Sequence, residues 1–443
     1  MSSEVFPAKV FLGIDIGTSG IRGSCIDDKA DEICTHHIAL NSQPSDGDIN
    51  EQDPNCWLPL LDELLTTIST LLEQHAPGQR ICAIAIDGTS STLIACDEEG
   101  TALSPALMYN DQQSRSQAEA ISRFAPTDSA VHGASSSLAK ALKLLARYPV
   151  TQHLCHQADW LVGELSGRYD ISDENNCLKL GYDSRTRSWP SWLFENSEGA
   201  VIPKRILPEV VPPGTPITKV RTKLIDKYRL ADDCIVIAGT TDSNAAVLAT
   251  GAGKPGDAVT SLGSTLVVKI FSEQPIFDSE FGIYSHRING RWLAGGASNS
   301  GGAVLLKHFS KAQLDEMTPQ LDPDHLIGLD YYPLPDKGER FPVNDSNKTS
   351  KIEPRPDSDL QFFQALLEGI ANIEKEAYEK LHELGATRPV RIYTAGGGSK
   401  NPAWTAIRSQ IIGTDILQAP HSEACYGSAL LAKSGYLTAN PEE

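Results

Sequence analysis

Positive charge is what this chain has too little of. Its 38 lysines and arginines stand against 57 aspartates and glutamates, a formal net charge of −19, with no long basic run. A field of that sign repels nucleic acid and anionic membrane, so neither is expected as a partner. Bound phosphate must then be held by local amides, a metal ion and a few cations. No apolar stretch approaches the length needed to span a bilayer, and residues 1–7 lack the charged-then-apolar layout of a secretory signal. Paired cysteines are missing as well. The nine (Cys25, Cys34, Cys56, Cys82, Cys96, Cys155, Cys177, Cys234 and Cys425) include no Cys-x-x-Cys, and several lie inside apolar stretches. Such an odd, scattered set reads as buried free thiols, which excludes a disulfide frame or a zinc site. A cytoplasmic location, or another reducing compartment, is expected.

What is present describes a globular chain too long for one core. With 443 residues, 40% of them hydrophobic and 21% charged, two domains are expected. They are drawn at residues 1–251 and 252–422, with a final helix near 423–443 packing back on the first. Gly251-Ala-Gly-Lys254-Pro-Gly256 marks the boundary. It matches Gly-x-Gly-x-x-Gly, but a strand follows where a phosphate loop needs a helix, and Pro255 stands where a Ser or Thr should follow the lysine. It reads as a hinge.

The chain is organised around Phe11-Leu-Gly-Ile-Asp15-Ile-Gly-Thr-Ser-Gly-Ile-Arg22. An apolar strand runs to Asp15, turns at Gly17, Thr18, Ser19 and Gly20, and continues as a second strand. Glycines leave no Cβ above such a turn, so amides and the Thr18 and Ser19 hydroxyls can approach a phosphate. Asp15 would set a carboxylate, and through it a divalent cation, beside that phosphate. The same residues equally suit an ordinary hairpin. A second copy shifts the balance: Ala258-Val-Thr-Ser-Leu-Gly263-Ser264-Thr265-Leu repeats strand, Gly, two hydroxyls and strand, and places Ser261 opposite Asp15. Two such turns suggest related lobes gripping a nucleotide, with the acid on one side only.

Further elements follow in order. Ile33 to Leu40 reads as a third strand, and a polar loop leads from it to Asp53-Pro54, which opens a helix carrying Trp57, Leu61, Leu64, Ile68 and Leu72 on one face. The strand Ile81 to Ile86 ends in Asp87-Gly-Thr-Ser90-Ser-Thr92, a polar patch where open α/β sheets place ligand contacts. Residues 112–165 read as mainly helical. Cys234 to Ala238 is a strand opening into a helix at Asp242, which suits either an N-cap or a general base. The small residues Ser298 to Gly302 precede a helix whose amides could receive phosphate. A long helix runs from Phe362 to Gly385. Then Ala395-Gly396-Gly-Gly398-Ser-Lys-Asn401-Pro-Ala-Trp404 gives a glycine shelf for a planar base, with Asn401 as helix cap and Trp404 as core or shelf wall. Ile411 to Ala419 reads as a strand.

In their order along nearly the whole chain, Asp15-Ile-Gly-Thr-Ser-Gly, Asp87-Gly-Thr-Ser-Ser-Thr, Gly239-Thr-Thr-Asp-Ser, Ser261-Leu-Gly-Ser-Thr and Ala395-Gly-Gly-Gly-Ser-Lys-Asn resemble the FGGY carbohydrate kinases. The resemblance implies an α/β fold of two ribonuclease-H-like domains, as in the actin/hexokinase-like ATPases, with ATP and Mg²⁺ bound in a cleft between them. It implies Asp242 as catalytic base and Asp15 as a contact to sugar and metal, with Ser90 and Asp242 also touching the sugar. Thr18, Ser19, Gly263, Ser264 and Thr265 would hold phosphates, while Gly397, Gly398, Asn401 and Trp404 would line the adenosine site. The Asp87 loop departs from the Met-His-Gly type of many xylulose kinases, and the short form, with Gln157-Ala-Asp-Trp and Leu178-Lys-Leu-Gly-Tyr, looks most like the D-ribulose kinases of cyanobacteria and plants. D-Ribulose 5-phosphate is the expected product of a monomer or homodimer. D-Xylulose or another pentulose or polyol is the alternative acceptor, and a non-catalytic sugar or nucleotide sensor the alternative role.

Overall fold

The computed structural model describes residues 9–40, 47–195 and 202–441. Residues 1–8 and most of the polar loop expected after Leu40 lie outside them. The chain divides into two compact units. One runs to Ala249 and takes in Arg287–Gly290 and the chain from Glu423; the other holds Thr250–His286 and Arg291–Ser422.

The first unit is built on a six-stranded sheet in the order Pro216–Lys219, Ile235–Ile237, Ile81–Gly88, Val10–Gly17, Gly20–Ile26, Glu32–Ala39. The last three form an antiparallel meander, and Ile81–Gly88 lies parallel to both of its neighbours. Side chains alternate across a strand, and both faces are covered. Gly13 meets the C-terminal helix Ala424–Ala439 so closely that a Cβ would sit 1.9 Å from the Cys425 carbonyl oxygen. Gly23, on the opposite face, meets Leu64 and Ile68 of the helix Trp57–His75. Asp53 starts the approach to that helix as expected, accepting the Asn55 amide at 3.0 Å. Its buried Trp57, Leu61, Leu64, Leu65, Ile68 and Leu72 stabilise the layer by about 1.5–3 kcal/mol each.

A smaller sheet carries Leu93–Cys96 against His153–His156. The latter is a strand within the stretch expected to be mainly helical. Four residues are too few to show a period of two, and the helices Arg115–Ile121, Ser137–Arg147 and Gln157–Ser166 surround it.

The second unit repeats the plan. Its strands run Arg291–Ser298, Leu266–Ser272, Asp257–Leu262, Arg391–Ala395, Ile416–Gln418, with the antiparallel hairpin first and the parallel strands last. The helix Asp359–Glu383 is capped by Ser358 and buries Phe362, Leu366, Ile370 and Ile373 among others. Ile411 and Ile412 belong to the helix Pro402–Ile412 rather than to a strand. Gly413, at φ 73°, ends that helix, and the strand starts only at Ile416. Among the described residues no helix is long and apolar enough to cross a membrane.

Candidate active site

In the first unit the parallel register sets Asp15 directly beside Asp87, and the antiparallel register sets it beside Arg22. Asp87 is fully buried. Its Oδ2 accepts the Ser428 hydroxyl at 2.5 Å, while Oδ1 has no hydrogen-bond partner. Burial pushes the Asp87 carboxyl well above its ordinary value, and the charges of Asp15 and Asp242 push it further, against the Ser428 bond. Burial also raises Asp15, against the pull of Asp87, Arg22 and His37. Two carboxyls this close resist double ionisation, so the pair favours carrying one proton. Asp242 thus stands within electrostatic reach of Asp87, in the same unit as Asp15. Asp87 opens the polar patch read from the sequence, but its pairing with Asp15 is not legible there, because parallel register is not written in either strand alone.

Asp242 is not a helix cap. The Thr241 carbonyl accepts the amides of Asn244 and Ala245, so Thr241 occupies the cap position and Asp242 is the first residue of the helix Asp242–Ala249. Its Oδ1 accepts the neighbouring Ser243 amide at 2.6 Å. Thr241 bridges in parallel to Gly88, which fixes the helix start against the end of the Asp87 strand.

The loop after Asp87 is tightly tied. Gln157 Oε1 accepts the Thr89 amide at 3.1 Å and the Thr89 hydroxyl at 2.6 Å. Ser91 has left-handed backbone (φ 65°), and its carbonyl accepts Lys140 Nζ at 2.8 Å. Ser90 is half-buried between them. Asp87 Oδ1, Ser91 Oγ, Gln157 Nε2 and Thr241 Oγ1 are buried without partners. Such atoms are costly unless completed, and a polyol brings hydroxyls that both donate and accept.

Thr18 and Ser19 occupy the turn beyond Asp15, with Ser19 exposed. Gly20 is required there, since a Cβ would lie 2.3 Å from the Ile38 carbonyl oxygen; above Gly17 the nearest atom is 3.8 Å away, leaving room for a ligand. The donors near Asp15 are hard carboxylate oxygens of the kind Mg²⁺ takes. Among the described residues no three His, Cys, Asp or Glu side chains are grouped to hold a metal alone. Magnesium therefore fits as a nucleotide-borne ion sharing one carboxylate; half-buried Asp15 suits that part better than fully buried Asp87.

In the second unit Gly263 and Ser264 are exposed at the hairpin turn, with Thr265 half-buried. The expectation that amides near Ser298–Gly302 receive phosphate is corrected. Gly302 and Ala303 donate to the carbonyls of Gly263 and Ser264 at 2.9 and 3.1 Å, so this segment buttresses the turn. Glu339, unnoticed in the sequence, holds the segment by accepting the Ser298 hydroxyl at 2.6 Å and the Asn299 amide at 2.8 Å.

The glycine loop adjoins the same turn. Gly396 has φ 80°, and a Cβ there would lie 2.7 Å from the Leu262 carbonyl oxygen. Gly397–Lys400 form a turn of 3-10 helix rather than a flat shelf. Gly397 is open, and Asn401 caps the following helix by accepting the Trp404 amide at 2.9 Å. Trp404 is core: 3% exposed, with its indole N–H on the Leu367 carbonyl. Its ring lies beneath Gly398, where a Cβ would meet it at 2.6 Å, so it supports the loop from below and forms no open wall.

The two halves compare position by position. Asp15 pairs with Asp87 where Ser261 pairs with Ala395. The carboxyl pair belongs to one half alone.

Residues 10–249 match the model of the FGGY family of carbohydrate kinases, N-terminal domain, and residues 258–436 match its C-terminal domain. A xylulose kinase of Lactococcus lactis is 24% identical over 94% of this chain and 86% of its own length. A gluconokinase of Bacillus subtilis is 21% identical over 95% of this chain and 86% of its own. The crystal structure of a xyloylose kinase from Brucella ovis superposes with a TM-score of 0.86 at 23% identity, covering 98% of this chain and 91% of that one.

Proposed function

Because the chain belongs to the FGGY family of carbohydrate kinases, we propose that it transfers the terminal phosphoryl group of ATP to a ketopentose hydroxyl, with the 5-hydroxyl of D-ribulose as first choice. The observation that carries this reading is the Asp15–Asp87 carboxyl pair of the first unit, with Asp242 within electrostatic reach of Asp87, and three further buried polar atoms, Ser91 Oγ, Gln157 Nε2 and Thr241 Oγ1, that the protein leaves unpartnered. The second unit has Ser261 and Ala395 at the matching positions, which suits a polyanionic tail that carboxylates would repel.

Asp242 takes the proton of the attacking hydroxyl as the O–P bond forms and ADP leaves. Its Ser243 contact orients the carboxylate. The Gly263–Thr265 turn and Thr18–Ser19 offer amides and hydroxyls to phosphate oxygens, and Gly397, Gly398 and Asn401 form the adenosine end. Asp15 holds Mg²⁺, which supplies charge neutralisation on the phosphates when bound. The Asp87–Thr92 loop, with Ser90, faces the sugar. The likeness of Gln157-Ala-Asp-Trp and Leu178-Lys-Leu-Gly-Tyr to D-ribulose kinases supports D-ribulose as acceptor.

The test is ADP release measured with D-ribulose, D-xylulose, L-ribulose, glycerol and gluconate side by side. D-Ribulose should give the highest kcat/KM, and Asp242→Asn should lose at least about 10³-fold in kcat while still binding ATP. ADP release independent of sugar, or an unimpaired Asp242→Asn, would overturn the reading.

A further inference from the structure

Lys140 is fully buried in the helix Ser137–Arg147, and no carboxylate bonds its ammonium group among the described contacts. Its Nζ donates instead to two main-chain carbonyls, Ser91 at 2.8 Å and Met108 at 2.7 Å. Burying a lysine this way is expensive, and an apolar residue of similar length would fill the space at less cost. What the amine supplies is a fixed point for Ser91, whose backbone is left-handed (φ 65°) although it is not glycine. That conformation is strained for a residue with a β-carbon and persists only where surroundings enforce it. On the other side, Gln157 anchors Thr89. The two anchors bracket Ser90, and Ser91 Oγ is among the unpartnered polar atoms of the site.

We propose that Lys140 is a positioning residue which, by holding the Ser91 carbonyl, keeps the Thr89–Thr92 loop in its strained shape and so sets the affinity for sugar. The inference rests on the reading of that loop as the sugar side of a kinase site, and it concerns shape alone: Lys140 touches no reacting atom. Losing the anchor lets Ser91 relax out of the left-handed region and carries Ser90 with it. Glycine at position 91 would hold the same φ without strain, so the double variant should regain what the single variant loses.

The experiment compares wild type, Lys140→Met, Ser91→Gly and the double variant. Hydrogen exchange of the peptide spanning residues 88–93 is read first, because it needs no turnover. Lys140→Met should exchange faster there by tenfold or so, corresponding to about 1.4 kcal/mol, while peptides of the second unit stay unchanged. Adding Ser91→Gly should restore most of that protection. In steady state, Lys140→Met should raise the sugar KM about tenfold with the ATP KM unmoved; because Ser91→Gly also removes the Ser91 hydroxyl from the site, the double variant is compared with Ser91→Gly alone and should match its sugar KM. Unchanged exchange at 88–93, a uniform loss of protection across the first unit, or failure of Ser91→Gly to rescue would each overturn the proposal. Absence of sugar-dependent turnover in wild type would instead overturn the kinase reading, with the exchange arm still deciding the role of Lys140. Should Lys140→Met fail to fold, Lys140→Arg, alone and with Ser91→Gly, carries the same comparison: alone it should speed exchange at residues 88–93 and raise the sugar KM while leaving the ATP KM alone.

Discussion

Ser428 donates its hydroxyl hydrogen to Asp87 at 2.5 Å across 341 positions of sequence. The bond ties the C-terminal helix to the carboxyl that stands beside Asp15. Both groups are fully buried, so the helix helps to set the electrostatics of the site.

Ser428→Ala should leave Asp87 Oδ2 unsatisfied and cost about 1–3 kcal/mol. Urea unfolding monitored in the first unit measures the loss. Because Asp87 then loses a bond that lowers its pKa, the variant should also hold its proton more firmly, which carboxyl infrared spectra against pH would show. An unchanged unfolding midpoint would mean that the bond contributes nothing.

At the nucleotide end the decisive position is Gly396. Any side chain there meets both a φ of 80° and the Leu262 carbonyl oxygen at 2.7 Å. Gly396→Ala should push the glycine loop off the hairpin and weaken ATP binding by tenfold or more, about 1.4 kcal/mol. Gly397→Ala, with open space around its Cβ, should leave the folded structure intact. Calorimetric titration of ATP against both variants separates the two effects.

Beneath the same loops lies a buried ion pair. Arg408 donates to Glu374 at 2.6 and 2.7 Å and to the Thr394 hydroxyl at 2.8 Å, while the Thr260 hydroxyl donates to Glu374 at 2.5 Å. Thr260 and Thr394 sit on the strands that lead into the hairpin and the glycine loop. Arg408→Met alone should strand a buried charge and cost about 3–5 kcal/mol. Adding Glu374→Met should return much of that stability, and a double-mutant cycle in urea gives the coupling.

Stability against pH carries a further expectation. Burial, with the charge of Asp159 adding to it, pushes Asp173 up to about 8. Its carboxyl is protonated in the folded chain where the unfolded chain has already ionised it. Its contribution is therefore full below the unfolded value near 4 and is lost as pH rises through about 8. Asp173→Asn should flatten the decline in unfolding midpoint over that window.

Much of this architecture was legible in the residues. The repeated hairpins announced the duplicated sheets. The pairs Asp53-Pro54 and Asn401-Pro402 marked helix starts, and the Asp242 stretch marked the seam of strand and helix. What stayed hidden depends on neighbours remote in sequence. Asp87 reads as half of a turn dipeptide until register sets it beside Asp15. Asp173, Glu174, Asn175 and Asn176 carry no pattern that announces a role, yet all are buried. Trp404 was equally suited to wall or core, and only the packing of Gly398 above it decides. Lys140 reads as one more surface lysine on an amphipathic helix. Its burial follows from the carbonyls of Ser91 and Met108, which no local pattern predicts.

Gly13, near the beginning of the chain, is moulded to Cys425 and Ala429, near its end. On a ribosome, the earliest strands therefore wait through the synthesis of the whole second unit before their covering helix emerges. Domains usually mature in the order in which they are made. Here the order is inverted: the unit begun first is finished last, and a message cut short before residue 424 would release a chain whose opening sheet has one bare apolar face.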